Sequence, residues 1–298
     1  MKSLQLALDN LLSNVETETR IQTDPIRFPK RYQDLLDQEV VALFSALLAY
    51  GRVKAIGQSI EGILDALGDH PGATITADAQ SIRDHQVTPR RFQNFVYRFT
   101  READLNKVWV GVGKVILRYG SIGHCFRAHD DPNDPTLLSA YQGFYDDVLT
   151  YSHHIEGGAG FNHLFSNPKK GSALKRVNMW LRWMVRGPDQ IDIGVWRDLG
   201  AHRLLIPLDV HVFRLSSAIG LTQRRTANLK TAIEVTQMLK RFDHTDPIKY
   251  DFALAHLGIS GACKGHRGAT VCDECPLKTL CTLPILSNPE SIKPHTLS

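Results

Sequence analysis

Apolar residues recur along this chain at the three- and four-residue steps of an α-helix. Between residues 172 and 186, Leu174, Val177, Leu181 and Met184 succeed one another at steps of 3, 4 and 3, which places them on one helix face. Two more stripes of this kind consist of Val40, Phe44, Leu47 and Leu48, and of Leu229, Ile233, Thr236 and Leu239. Because alternating strand patterns are scarce, the sequence predicts an all-α fold.

Turn-forming residues mark the ends of several predicted helices. Gly68 and Gly220 directly follow helical patterns at 56–67 and 210–219, and glycine is a common residue just past a helix end. The pair Asp246-Pro247 combines a capping residue with a proline suited to a first helical turn, so it predicts another helix start.

The polar segment 129–136, which contains several aspartates and prolines, predicts a loop between two helical lobes. With 298 residues, 43% of them hydrophobic, the chain is long enough to bury a substantial core. It is interpreted as a single helical unit. Its predicted parts are a helix within 1–36 that packs on one lobe, lobes at approximately 37–135 and 136–262, a cysteine loop at 263–281 and a tail at 282–298.

Four of the five cysteines, Cys263, Cys272, Cys275 and Cys281, lie close together near the end of the chain, in the pattern C-x8-C-x2-C-x5-C. Thiolates at these spacings can converge on one metal centre. Since only one gap is as short as a zinc knuckle, the spacing favours a 4Fe-4S cluster, with structural zinc as the first alternative and unmetallated thiols as the second. Reduced cysteines held for a metal favour a cytoplasmic protein. The remaining cysteine, Cys125, is expected to be buried as a small apolar residue.

The distribution of charge suggests a polyanionic partner. The net charge is only +4, but residues 167–186 carry six basic side chains and no acidic one. The segment 87–101 contains four arginines among aromatic residues, again without an acid. Basic stripes of this kind suit a phosphate backbone, although solvated helix faces look the same. No apolar run approaches the roughly 18–20 residues that span a bilayer, so a membrane is not an expected partner.

Two short segments contain candidate reactive groups. In the first, a turn with Gly171 opens the predicted helix that carries Lys175 about one turn in, and exposed N–H groups at a helix start suit phosphate. In the second, Asp209 follows the apolar run Ile206–Leu208 and is expected to be the N-cap of the next helix. A carboxylate at this place is either a plain cap or a positioned catalytic group.

These segments carry a resemblance to a known family. Residues 208–214, LDVHVFR, resemble the V-D-T-H-x-x-R stretch of the helix-hairpin-helix DNA glycosylases, the superfamily of endonuclease III and the adenine glycosylases. The cysteine loop is similar to the C-x6-C-x2-C-x5-C loop of several members, with a first gap longer by two. Residues 171–178, GSALKRVN, are similar to the G-V-G-R-K-T-A-N that closes the family's hairpin, and residues 43–52 resemble its first core helix.

The resemblance implies a two-lobed helical base-excision enzyme that binds double-stranded DNA and flips out a damaged base. Asp209 falls on the family's catalytic aspartate and Lys175 on the lysine that bifunctional members use as the nucleophile. The hairpin glycines are reduced to Gly171, and the insertion 187–205 resembles the archaeal 8-oxoguanine glycosylases, which also lack a standard hairpin. Residues 171–186 together with 206–213 resemble an uncharacterised bacterial family of the same superfamily. A monomer acting on an oxidised purine, with 8-oxoguanine as the first candidate, is therefore expected. The residues expected to contact DNA are Lys169, Lys170, Gly171, Ser172, Arg176, Arg182, His211, Arg214, Lys264 and Arg267.

Three functions remain open at this point. The first is a DNA glycosylase with AP lyase activity, in which Lys175 forms a Schiff base. The second is a monofunctional glycosylase in which Asp209 activates water and Lys175 contacts phosphate. The third is a nucleic-acid-binding protein without catalysis. The aromatic residues available to hold a flipped base are expected mainly in the core: Phe144, Tyr145, Phe161, Trp180, Trp183 and Trp196.

Overall fold

The predicted all-α fold is confirmed. The computed structural model describes residues 1–85, 91–259, 261, 263–268 and 272–285. Residues 286–298 of the predicted tail lie outside this range, as do 269–271 of the cysteine loop. The α-helices are α1 Lys2–Ser13, α2 Thr17–Ile21, α3 Leu35–Leu47, α4 Val53–Leu67, α5 Pro71–His85, α6 Glu102–Tyr119, α7 Ile122–Ala128, α8 Leu138–Tyr151, α9 Phe161–Leu164, α10 Lys175–Val185, α11 Val210–Ala218, α12 Leu229–Lys240 and α13 Asp251–Ile259.

Irregular and 3-10 segments connect these helices. A two-residue antiparallel hairpin, β1 and β2, precedes α6, with Tyr97 opposite Thr100. Its strands are β1 Val96–Tyr97 and β2 Thr100–Arg101. Short 3-10 turns lie at Pro25–Arg27, Pro29–Arg31, Pro168–Lys170, Arg197–Leu199 and Ala201–Arg203. Among the described residues, no helix combines the length and the apolar character needed to cross a bilayer.

One apolar core runs through both predicted lobes, because α6 packs on α5 and α8 while α10 packs on α3. The stripe on α10 predicted from the sequence is buried. The helix α1 lies against α13, and Tyr250 donates a hydrogen bond to Asp9 across this contact at 2.6 Å. The boundary near residue 135 stays a prediction, although the segment 129–136 is the expected loop.

The aromatic residues considered for a base pocket lie in the core, as the sequence analysis expected for most of them. The rings of Trp180, Trp196 and Phe126 pack at centroid distances of 5.1–5.4 Å. The side chains of Phe144, Tyr145 and Trp183 are buried as well. The wall of a base site must therefore come from other residues.

One predicted helix start is wrong. Asp246-Pro247 begins a turn, and α13 starts only at Asp251. The reason is that Arg186 occupies the Asp246 carboxylate in an ion pair of 2.9 Å, so that this carboxylate does not cap a helix.

The segment 187–205, interpreted above as an insertion, is joined to the core by a buried carboxylate. Glu39 of α3 accepts hydrogen bonds from the indole of Trp196 at 2.7 Å and from the backbone N–H groups of Ile122 and Gly123 at 2.8 and 3.0 Å. Burial raises the pKa of Glu39, while the three hydrogen bonds favour its charged form. This arrangement fixes α3, the start of α7 and the insertion to one another.

Gly123→Ala is expected to destabilise the protein by about 1–3 kcal/mol. A Cβ at this position would lie 2.5 Å from the Trp196 indole nitrogen and 2.9 Å from a Glu39 carboxylate oxygen. The matched control is Gly62→Ala in α4, where a Cβ meets no atom within 4 Å. That change should be neutral or stabilising by up to about 1 kcal/mol. Urea denaturation of both variants measures the difference, and equal midpoints would contradict the packing at Gly123.

Candidate active site and cysteine loop

Lys175 is the first residue of α10, and the backbone before it is tightly constrained. Leu174, the N-cap residue, is buried and adopts a left-handed conformation with φ 51°, which is unfavourable for a residue with a Cβ. The turn at Gly171 (φ 73°) is tied to the start of α12 by a hydrogen bond from Leu229 N–H to the Gly171 carbonyl at 3.1 Å. Tertiary contacts therefore determine where Lys175 points.

Lys175 lines a cavity of about 380 Å³, a size within the usual range for small-molecule sites. Its side chain is half-buried and forms no hydrogen bond or ion pair with the part of the chain that the structure describes. Most of the exposed wall of the cavity is apolar, and its polar part is formed by Asn162, His163, Ser166, Asn167, Lys170, Ser172 and Arg176. A half-buried lysine that forms no hydrogen bond or ion pair with the described residues is consistent with a reactive or ligand-binding group.

Contacts within the protein fix the side chain of Arg176 at this cavity and favour the neutral form of His163. The guanidinium of Arg176 donates hydrogen bonds to the carbonyls of Leu47 and His163 and lies over the Tyr50 ring at 5.0 Å. Burial lowers the pKa of His163, and the charges of Arg176 and Arg98 lower it further. His163 is therefore neutral at physiological pH and offers both a donor and an acceptor nitrogen.

Asp209 is the N-cap of α11, as predicted. Its Oδ1 accepts hydrogen bonds from the N–H groups of His211 and Val212, both at 2.9 Å. Within the described residues, no hydrogen bond ends on Oδ2. The cap thus uses one carboxylate oxygen and leaves the other for a further partner. Asp209 is not among the residues that line the cavity next to Lys175.

The charges of Lys175 and Asp209 both affect Asp251, a residue that the sequence analysis missed. Asp251 starts α13, is 2% exposed and accepts a hydrogen bond from Arg182 at 2.5 Å, while its Oδ1 has no partner. Burial raises the pKa of Asp251 to about 6; Arg182 and Lys175 act to lower it and Asp209 to raise it. The charges of Lys175 and Asp209 therefore both act on one buried carboxyl group. An acid inside the apolar run of residues 250–255 was the available indication in the sequence.

The predicted DNA contact of Arg182 is wrong. Arg182 is 4% exposed and lies between Asp192 and Asp251, with ion pairs of 3.2 and 2.5 Å. Burial alone would lower its pKa, but the two carboxylates raise it well above the ordinary value. The charge of this side chain is thus neutralised inside the protein and is not available to a phosphate.

Two further residues in the predicted DNA-binding set have structural contacts. His211 packs against Gly258 of α13, where a Cβ would approach its Cβ to 2.5 Å, and its Nδ1 is buried without a partner. Arg214 donates a hydrogen bond to the carbonyl of Cys263 at 3.2 Å and packs over Gly265. Arg214 therefore supports the cysteine loop, and contacts of either residue with DNA stay predictions.

Five of the remaining predicted DNA-binding residues are exposed, whereas Arg176 is held by the carbonyls described above and Arg267 lines the cysteine cavity. Lys169, Lys170, Gly171 and Ser172 form one exposed stretch before α10, and Lys264 is exposed in the cysteine loop. In the second basic segment, Arg91 is paired with Asp78 at 2.6 Å, whereas Arg90 lies outside the described residues.

The four predicted metal ligands converge on a second cavity. Cys263, Cys272, Cys275 and Cys281 line it together with His266 and Arg267 and apolar residues of α11 and α13. Burial raises the pKa of the Cys275 thiol, and each of the other three cysteines raises it further. The loop is anchored by hydrogen bonds from Cys263 N–H to the Leu257 carbonyl and from Thr282 N–H to the Ala218 carbonyl, both at 2.9 Å.

Among the described residues, the group of at least three ligand atoms that all lie within 4.8 Å of one another belongs to Cys125, His129 and Asp147 and includes none of the four loop thiols. The choice between a 4Fe-4S cluster and zinc therefore stays a prediction from the cysteine spacing.

Comparison with known proteins gave one result. A family model described as "Protein of unknown function (DUF2400)" matches residues 24–260, which include Lys175, Asp209 and Asp251 but end before the cysteine loop. No match to the chain was found among curated proteins or among solved structures.

Proposed function

For this chain, which belongs to the DUF2400 family, we propose the function of a base-excision DNA glycosylase with AP lyase activity. Its substrate is a duplex carrying an oxidised purine, with 8-oxoguanine as the first candidate. The proposal rests on one observation above all: Lys175 lines a cavity and forms no hydrogen bond or ion pair among the described residues. Its charge and that of Asp209 also act on the same buried carboxyl group. The resemblance of residues 171–178 and 208–214 to helix-hairpin-helix glycosylases supports it independently.

Lys175 supplies the nucleophile in this proposal. Its neutral amine forms a bond to C1′ of the flipped nucleotide while the glycosidic bond breaks, and the base departs with the bonding electrons and takes up a proton. Opening of the sugar ring gives a Schiff base, from which β-elimination cleaves the strand. The polar part of the wall around Lys175 provides hydrogen-bond partners for a base that has left the stack.

Asp209 supplies the negative charge. As the glycosidic bond breaks, positive charge develops on the sugar, and a fixed carboxylate close to it stabilises that charge. The cap hydrogen bonds hold the carboxylate by Oδ1, which leaves Oδ2 to face the sugar or to accept a proton from the lysine ammonium.

A 4Fe-4S cluster is the proposed cofactor, held by Cys263, Cys272, Cys275 and Cys281. The donor set fits, because four thiols converge on one cavity. His266 lines the same cavity, and its buried Nε2 has no hydrogen-bond partner among the described residues, so this nitrogen suits a sulfur acceptor. The cluster would stabilise a loop that carries Lys264 towards DNA and would take no part in base release. A reducing compartment such as the cytoplasm keeps these thiols available.

Cys275→Ser is expected to remove the cluster. Elemental analysis of protein purified without oxygen should give about four iron atoms per chain for the unchanged protein and a loss of most of them in the variant. Cys125→Ser is the matched control and should keep its iron. Zinc instead of iron in the unchanged protein would select the structural-zinc alternative, and neither metal would select free thiols.

The function is tested with a panel of duplexes, each bearing one defined base lesion, incubated with and without borohydride. Base release together with strand cleavage and a borohydride-trapped adduct supports the proposal. Base release without cleavage or adduct supports the monofunctional alternative, in which Asp209 activates water. Binding without base release across the panel supports the non-catalytic alternative.

Asp209→Asn is expected to reduce base release by roughly 10²–10³-fold, the usual effect of removing one group that stabilises transition-state charge. Asparagine retains an oxygen for the N-cap, so the urea midpoint should change little. Single-turnover base release measures the effect. An unchanged rate in a stably folded variant would remove Asp209 from the mechanism.

A further inference from the structure

A second group of potential metal ligands lies away from the cysteine loop, at the contact between α7 and α8. Cys125 of α7, His129 at its end and Asp147 of α8 place one ligand atom each within 4.8 Å of one another. The Sγ of Cys125 lies 3.7 Å from Asp147 Oδ2, and His129 Nε2 lies 2.8 Å from the same oxygen. A thiol, an imidazole and a carboxylate from two helices therefore meet at one point.

The chain makes room for the imidazole at this point. A Cβ at Gly143, one turn before Asp147 on α8, would overlap the His129 ring. Glycine in the middle of a helix is intrinsically destabilising. The space that the His129 ring occupies accounts for the glycine at position 143. The four-residue spacing of Cys125 and His129 places both on one side of α7. Two helices are thus shaped around the same three groups.

We propose that Cys125, His129 and Asp147 bind one divalent cation of the zinc class, independently of the cysteine loop and of the proposed glycosylase activity. A sulfur, a nitrogen and an oxygen ligand suit Zn²⁺, which accepts all three. A thiolate and a carboxylate together balance the two charges of the ion, so the site stays neutral overall. This balance matters because Cys125 is completely buried, and an unbalanced charge there would be costly.

The distance between the sulfur and the carboxylate oxygen fits this assignment. For a tetrahedral zinc ion with Zn–S of about 2.3 Å and Zn–O of about 2.0–2.2 Å, the sulfur and oxygen ligands lie about 3.6 Å apart, near the 3.7 Å between Cys125 and Asp147. The His129 nitrogen would need to move about half an ångström away from the carboxylate. Tyr119, whose hydroxyl donates to Asp147 Oδ2 at 2.8 Å, would hold that carboxylate in place from the outer shell.

Access to the site is open on one side. The side chains of His129 and Asp147 are 31% and 20% exposed, so an ion reaches the buried thiol past these two groups. Binding converts the S–H of Cys125 to a sulfur–metal bond and releases that proton to solvent. The three protein ligands leave the fourth position to water, as in zinc sites that are not purely structural.

The test is equilibrium dialysis of the full chain against Zn²⁺, followed by elemental analysis for zinc and iron in the same samples. The expected result is one zinc per chain with iron unchanged, and at least about 100-fold weaker zinc binding in Cys125→Ser and in Asp147→Asn. Both substitutions retain hydrogen-bonding groups, which protects the fold. His124→Ala, in an exposed position of the same helix, is the control and should bind zinc like the unchanged protein.

The outcomes separate the proposal from its alternative, a hydrogen-bonded cluster without a metal. If Cys125→Ser and Asp147→Asn, folded by circular dichroism, retain the same zinc stoichiometry and affinity, the proposal is overturned. The proposal is also overturned if the unchanged protein binds no zinc when its loop cysteines are saturated with iron. Base-excision activity is not needed for either measurement, so failure here leaves the proposed function untouched.

Discussion

Lys175→Gln is expected to give no covalent adduct with lesion-bearing DNA under borohydride and to lose strand cleavage by on the order of 10³-fold or more. Glutamine retains the length and polarity of the side chain but has no amine to attack C1′. The cavity wall and the constrained turn before α10 should remain, because Leu174 and not Lys175 holds the buried position there. The adduct is measured by denaturing gel electrophoresis after borohydride treatment of a single-turnover reaction.

Lys170→Gln is the matched control for this experiment. Lys170 lines the same cavity but is exposed, so its loss should weaken DNA binding in a salt-dependent way without preventing the adduct. If Lys175→Gln traps DNA as efficiently as the unchanged protein, another residue is the nucleophile. If Lys170→Gln loses the adduct and Lys175→Gln keeps it, the assignment of the two lysines is reversed.

Arg182→Met is expected to destabilise the protein by about 3–5 kcal/mol, the usual effect of removing one partner from a buried ion pair. Asp192 and Asp251 are almost completely buried. Loss of the guanidinium leaves Asp251 without its ion-pair partner and leaves Asp192 with Arg186 alone. Methionine has a similar length and adds no polar group, so the change is chiefly electrostatic. The measurement is the midpoint of urea-induced unfolding at neutral pH.

The control for this effect is an ion pair at the surface. Arg31 and Glu61 form two hydrogen bonds of 2.6 and 2.9 Å, but their side chains are 45% and 42% exposed. Exposed pairs contribute about 0–1 kcal/mol, so Arg31→Met should shift the midpoint little. Similar shifts in the two variants would contradict the buried network as a main source of stability.

Much of the fold follows from local patterns in the sequence. Helical spacing of apolar residues predicts α3 and α10, and Asp209 acts as the N-cap because a carboxylate before an apolar helix satisfies free N–H groups. The convergence of the four loop cysteines also follows from their spacing, since short connections keep ligands together. In each case the determining residues lie within about twenty positions of one another.

The parts that sequence reasoning missed depend on contacts between distant segments. A run of basic residues in 167–186 suggests one charged surface, yet Arg182 and Arg186 point into the protein, where Asp192, Asp246 and Asp251 neutralise them. Neither charge nor helical spacing indicates which basic side chain has a buried acid as its partner. For the same reason, the sequence did not indicate that the charges of Lys175 and Asp209 both act on Asp251.

The connection at 187–205 braces two separate helices from one side. It supplies the indole that hydrogen-bonds to Glu39 of α3 and one of the two carboxylates that pair with Arg182 of α10, so each of these buried charges would lose one partner without it. A change that detaches this connection is therefore expected to loosen both helices at once.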